Sequence, residues 1–252
     1  MNRKNAIILF LLNIFSMSYS YAQPQVQPLA VDYYTVMRDY EEQTIPDVRV
    51  FELICDGVHS SFCLSADSCN WNARSFSVFK ELSQKGELVY IDRIEENGYY
   101  YKENMPTFDW EMQDGDTIVC SYPCQKAKTV FRGREWNVWY AIDLPYSDGP
   151  WKLSGLPGLI LLAQDAKGDF RFVAQKIAMS DKEVPTYDVR QMRKTTAKCF
   201  AEDRMDAAKN PSLMSAFLSG RKPKFGMDGT LLPPEPQTAC LLEYFGQKSK
   251  KK

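Results

Sequence analysis

Hydrophobic and polar residues alternate along most of the chain between Val31 and Ala174. A period of two turns successive side chains to opposite faces, so the pattern predicts strands. Residues 31–37 and 48–55 are two such stretches, and Asp56-Gly57 supplies a turn after which 60–64 can return antiparallel. Four hairpin-like units follow. Residues 87–91 and 98–102 flank Glu95-Glu96-Asn97-Gly98, and 107–112 and 117–120 flank Asp114-Gly115. Residues 128–131 and 136–141 flank Arg132-Gly133-Arg134, and 159–163 and 170–174 flank 165–169. Successive hairpins without crossover helices predict a mainly β (α+β) fold, a curved antiparallel meander sheet or half-barrel.

Two regions break the alternation. Between residues 73 and 85, Phe76, Phe79 and Leu82 recur every three residues and Gly86 closes the run, which predicts a short amphipathic helix. Residues 187–209 are rich in Met, Ala, Lys, Arg and Glu, and 211–218 continue similarly, so two helices broken at Asn210-Pro211 are expected in the C-terminal third. Three prolines within 233–236 exclude helix there, and 240–245 are expected to return to the sheet.

The first 22 residues read as a signal peptide. Asn2-Arg3-Lys4 is a basic start, Ala6 to Phe15 an apolar core, and Ser20-Tyr21-Ala22 a small-residue cleavage site, with maturation expected near Gln23. The apolar core is short for a membrane span. Residues 23–252 lack a linker or low-complexity tract and are expected to form one domain. Losing Arg3 and Lys4 leaves 29 of the 31 basic residues against 32 acidic ones, so a nucleic-acid partner is not expected. Export favours disulfides over metal clusters for the seven cysteines, Cys55, Cys63, Cys69, Cys120, Cys124, Cys199 and Cys240, of which an odd one must remain over. On a flat strand Cys120 and Cys124 would lie roughly 13 Å apart, beyond disulfide reach. Cys55 and Cys63 could face each other across the 56–59 turn, and Cys240 could fasten the C-terminal end.

The most distinctive stretch is Gly149-Pro150-Trp151-Lys152-Leu153-Ser154-Gly155-Leu156-Pro157-Gly158-Leu159-Ile160. Pro157-Gly158 suits the centre of a type II turn, with glycine at positive φ. The apolar run after it predicts a strand covered on both faces. Together with Cys124-Gln125-Lys126-Ala127, Phe131-Arg132-Gly133-Arg134 and Trp139-Tyr140, in this order, the stretch resembles the signature of the GLPGLI family. These are secreted or envelope proteins of Bacteroidetes without an established biochemical role. The resemblance covers the middle of the chain and implies an exported β-rich protein; it implies no reaction.

Arg132, Arg134, Trp139, Trp151 and Lys152 form the set with binding chemistry, since aromatic faces beside cationic heads can receive an anionic or amphipathic ligand. Alternatively they cover a sheet edge, with stems packed and heads in water. His59 is the sole histidine, which excludes His-based zinc sites, and no glycine-rich phosphate loop is present. No metal or cofactor is expected. The first functional expectation is a non-enzymatic exported or periplasmic protein that carries an apolar or amphipathic ligand. The second is a protein-interaction accessory of an outer-membrane uptake or surface assembly. The third is a cysteine-based enzyme or redox protein.

Overall fold

The computed structural model describes residues 27–65, 76–83, 85–212 and 223–245; the expected signal peptide and Cys69 lie outside them. Twelve strands form one open sheet: β1 (Leu29–Met37), β2 (Asp47–Cys55), β3 (His59–Leu64), β4 (Ser77–Glu81), β5 (Glu87–Ile94), β6 (Asn97–Asn104), β7 (Glu111–Val119), β8 (Tyr122–Phe131), β9 (Arg134–Ala141), β10 (Leu159–Asp165), β11 (Phe170–Met179) and β12 (Arg193–Lys194). Strands β1 to β6 make one antiparallel meander and β7 to β11 another. They are stitched together where β1 pairs with β11, from Leu29↔Met179 to Met37↔Phe170. The short β12 adds to β6 in parallel.

The sheet curls strongly. Seven strands separate β6 from β9 in the sheet order, which in a flat sheet would place them roughly 38 Å apart. Yet Arg132, in the β8–β9 turn, reaches Glu103 of β6 at 2.5 Å. Side chains pointing into the resulting gutter make the main core. On β1 the alternation is complete, with Leu29, Val31, Tyr33, Thr35 and Met37 buried and the intervening residues partly covered. Across the gutter Tyr33 Oη donates to the Ile160 carbonyl at 2.6 Å. β10 buries Leu159, Ile160 and Leu161 completely, as its continuous apolar run predicts.

Several expectations are corrected. The stretch expected to be helical through Phe76, Phe79 and Leu82 contains β4 instead; residues 73–75 and 84 lie outside the description. Phe76 and Val78 pack in the gutter, while Phe79 faces the outside and is covered there by Val89, Ile91 and the Tyr187 ring at 5.1 Å. A strand covered on both faces loses its alternation, and a three-residue spacing then mimics a helix. Asp114-Gly115 is a bulge inside β7, not a turn, and 107–110 are not strand. The hairpin turns instead at Cys120-Ser121, both with positive φ (50° and 70°), the mirror-image turn that suits strand twist.

One helix is present among the described residues, α1 (Ala197–Lys209), capped by Thr196, whose Oγ1 accepts the Cys199 N–H at 3.2 Å. It begins ten residues after the expected start at 187, because β6 captures the preceding chain as β12. Most of the second expected helix, 213–218, lies outside the described residues. Residues 240–245 do not form a strand. They are tied down locally, with Cys240 N–H to the Asp39 carbonyl at 2.9 Å and Tyr244 N–H to that of Arg132 at 2.7 Å. No helix among the described residues is long and apolar enough to cross a membrane.

Cys63 is disulfide-bonded, whereas Cys55, Cys120, Cys124, Cys199 and Cys240 are free thiols. The proposed Cys55–Cys63 bridge and Cys240 fastener are therefore absent. Register explains the first: Cys55 lies opposite Ser60, and Cys63 opposite Glu52. Backbone hydrogen bonds and Arg134 do the fastening at Cys240 and Leu241 instead.

Candidate functional site

The connection between β9 and β10 carries the Gly-Pro-Trp-Lys stretch across the inside of the gutter. Two buried lysines pin it. Lys80 of β4 pairs with Asp148 and donates to the Gly149 carbonyl at 2.8 Å, with both charged side chains fully enclosed. Lys152 pairs with Glu103 and with Glu243 at 2.8 Å, and donates to Tyr101 Oη at 3.0 Å. Arg132 bridges the same two carboxylates, at 2.5 Å to Glu103 and 2.7 Å to Glu243. Two cations thus face two carboxylates, and Tyr101 Oη donates to Glu243 at 3.3 Å. Burial works against the charge on Glu103, but Lys152 and Arg132 outweigh it and hold its carboxyl below the usual range. Burial, reinforced by the Glu243 charge, pushes the Tyr101 phenol well up, so it stays protonated.

A depressed folded-state pKa stabilises the fold above the unfolded carboxylate value and ceases to do so as pH falls through the folded one. The Glu103→Gln protein should therefore lose less of its urea midpoint than the parent between neutral pH and about pH 3. Equal losses in the two proteins would remove Glu103 from the acid transition.

Beside this cluster lies a cavity of about 910 Å³. Buried aromatic rings of Phe76, Tyr90, Tyr101, Trp151, Phe170 and Phe200 contribute to its wall. Tyr90 and Tyr101 stack at 4.9 Å, and Phe200 of α1 meets Tyr90 edge-on at 5.9 Å. Asp92 accepts from Tyr90 Oη at 3.0 Å and from Arg204 at 2.9 Å; burial raises its pKa despite the guanidinium. Trp151 is fully buried, has a left-handed backbone (φ 55°), and its Nε1–H has no hydrogen-bond partner among the described residues. A bulky residue with positive φ is strained. Lys152 and the packed rings hold it there.

Of the expected binding residues, Arg132, Trp151 and Lys152 are brought together here. Arg134 is elsewhere, buried against Asp165 and Asp169 and donating to the Leu241 carbonyl at 2.6 Å. Trp139 is partly exposed, donates to the Gly115 carbonyl at 3.1 Å, and has Lys126 over its ring at 5.3 Å. An anion would find no open cation in this set, because carboxylates already neutralise Arg132, Arg134 and Lys152. Tyr90, Asp92, Tyr101, Glu103, Phe200, Arg204 and Glu243 went unrecognised in the sequence. Only the Tyr-rich β6 offered a signal, and nothing local marks Glu243.

The signature glycines act differently from expectation. Gly155, not Gly158, has positive φ (91°). Gly158 is needed for space, since a Cβ there would sit 2.1 Å from the Ala141 carbonyl oxygen. Gly149 is similarly crowded by Ile160 Cβ, at 2.7 Å. Pro150 and Leu156 are buried, while Pro157 is exposed at the bend.

Three of the free thiols among the described residues are poor candidates for chemistry. Burial pushes Cys124 and Cys240 up to about 11 and Cys55 still higher, so all three are thiols at neutral pH. Among the described residues no group of His, Cys, Asp and Glu is arranged to hold a metal ion.

No family model and no curated protein matches the chain. Among solved structures it is similar to PNGF-II in space group P21, with TM-score 0.51 and 16% identity over 73% of this chain and 34% of that one. For PNGF-II in space group C2 the values are 0.49, 16%, 71% and 32%. The likeness is one of fold alone. The chain spans about a third of the length of the PNGF-II chains.

Proposed function

We propose that this chain is a non-enzymatic exported envelope protein that carries an amphipathic small molecule inside its curled sheet. The observation that carries this reading is the cavity of about 910 Å³, walled by aromatic rings and bordered by fixed charged groups. Small-molecule sites typically enclose about 300–1,000 Å³ and combine apolar walls with a few oriented polar groups. The leader-like first 22 residues and the resemblance of the Gly-Leu-Pro-Gly-Leu-Ile stretch to an envelope family support export. The strong internal charge pairing supports a rigid container, since Lys80, Arg134 and Lys152 each tie distant segments together.

Protein purified from its own host under non-denaturing conditions should give a native mass spectrum heavier than the polypeptide. The excess should disappear on denaturation and correspond to an organic compound in the extract. Bare polypeptide under conditions that preserve known protein–lipid complexes, with no uptake of an environment-sensitive dye, would sink the carrier reading.

A further inference from the structure

The two buried lysines sit in unlike surroundings. Around Lys152 each of the four carboxylate oxygens receives a donor: those of Glu103 from Lys152 and Arg132, and those of Glu243 from Lys152, Arg132 and Tyr101. The Lys80–Asp148 pair differs in two respects. Both of its side chains are fully enclosed, whereas Glu103 keeps 15% of its side-chain surface in solvent. Lys80 engages one Asp148 oxygen, but Oδ2 is buried and has no hydrogen-bond partner among the described residues. A half-satisfied carboxylate out of reach of water is costly, and buried polar atoms are nearly always paired.

An amine and a carboxyl held in contact away from water are the reactants of an amide. Condensation cancels both charges. It leaves one N–H and one carbonyl in place of an ammonium and two carboxylate oxygens, a smaller polar load for a closed site to satisfy. Enclosure favours the reaction twice. Well-oriented groups fixed side by side can reach effective concentrations of about 10⁵–10⁸ M, and the water that would hydrolyse the product is kept out.

We propose that Lys80 and Asp148 join through an isopeptide bond that braces β4 against the β9–β10 connection. Lys80 Nζ passes one proton to the carboxylate and attacks its Cγ. A second proton follows to the departing oxygen, the C–O bond breaks, and one water leaves. The third proton stays on nitrogen, so the amide keeps the donation to the Gly149 carbonyl that the ammonium makes at 2.8 Å. Neither an oxidant nor a co-reactant is involved. Ser60 lies opposite Lys80 in the β3–β4 ladder, buried and with its hydroxyl unpartnered among the described residues, which puts an O–H beside the lysine to relay the second proton. The bond links residues 68 apart in the chain and is independent of what the cavity carries.

The test is mass spectrometry of the full mature chain, reduced and denatured. The intact protein should be lighter than its sequence by one water. Its tryptic digest should lack cleavage after Lys80 and contain the Lys80 peptide joined to the Asp148 peptide. Lys80→Met should have its full sequence mass; a water still missing from that variant would place the bond elsewhere and overturn the assignment. A succinimide at an Asp-Gly pair, of which Asp148-Gly149 is one, loses the same mass. It does so within a single peptide and regains the water at mildly alkaline pH, which an amide does not. A succinimide alone, or a parent chain of full mass that trypsin cleaves after Lys80, would also overturn the isopeptide. The deciding measurement is made on the parent chain, so a Lys80→Met variant that fails to fold leaves the outcome readable.

Discussion

Replacing Gly158 by alanine should leave little folded protein. The added methyl would sit 2.1 Å from the Ala141 carbonyl oxygen, 2.6 Å from its carbon and 3.0 Å from Ile142 Cα. All three are backbone atoms, so no rotamer change relieves the clash. Nor can the backbone retreat easily. Ala141 lies opposite Leu159 in the β9–β10 ladder, Leu159 N–H donates to the Leu144 carbonyl at 2.9 Å, and Leu159 and Ala141 are both fully buried. Overpacking a well-ordered core commonly costs about 1–3 kcal/mol, through rearrangements of flexible side chains. Here the obstacle is the sheet itself, so a loss of at least ~3 kcal/mol is expected, a large part of a typical domain's ~5–15 kcal/mol. Soluble yield and urea midpoint are the measurements. Gly168→Ala is the matched control: φ there is 75° but no atom lies within 4 Å of the added carbon. That variant should lose only the ~1–2 kcal/mol of left-handed strain. If the two variants unfold at similar midpoints, close approach is not why glycine occupies position 158.

The contrast bears on what was readable from the chain. The Pro-Gly corner and the buried strand after it were legible, because proline and a continuous apolar run carry local information. The reason for the second glycine was not, since its constraint comes from Ala141 on a neighbouring strand. The same division runs through the fold. β1 and β9 show their alternation because each has one covered face and one partly open face. β4 hides it because Ser77, Val78, Phe79 and Lys80 are all buried. The Cys120-Ser121 turn lacks the glycine or asparagine that would have announced it, while Asp114-Gly115 announced a turn and produced a bulge. At the site, Trp151 and Lys152 stood out as an aromatic beside a cation. Their significance depends on Glu103 and Glu243, which lie 49 and 91 residues from Lys152 in the chain. Spacing of that kind has no sequence signature, so the cations read as ligand-seeking when the fold had already paired them.

Lys152→Met should be the most damaging substitution that adds no bulk. The methionine fills nearly the same space, so the loss isolates the ammonium and its three acceptors, Tyr101, Glu103 and Glu243. Without it, two carboxylates are left facing one cation, Arg132, inside the gutter. Their side chains are only 15% and 8% exposed, too little for water to take over the role. Breaking a buried pair by removing one partner typically costs about 3–5 kcal/mol, mainly because the remaining charge is stranded. The Tyr90 and Tyr101 rings, which the Lys152 ammonium approaches to 5.2 and 4.8 Å, lose their cation–π partner as well. The stranded-charge account makes a sharper demand than a large single loss. Adding Glu103→Gln to Lys152→Met removes the surplus charge and should restore part of the urea midpoint, so the double variant is more stable than Lys152→Met alone. Arg190→Met, which breaks an ion pair whose members are 88% and 55% exposed, should leave the midpoint unchanged. If the double variant is less stable than the single one, the loss stems from packing and hydrogen bonds, and the cluster's electrostatic balance is not what holds the Trp151 segment in place.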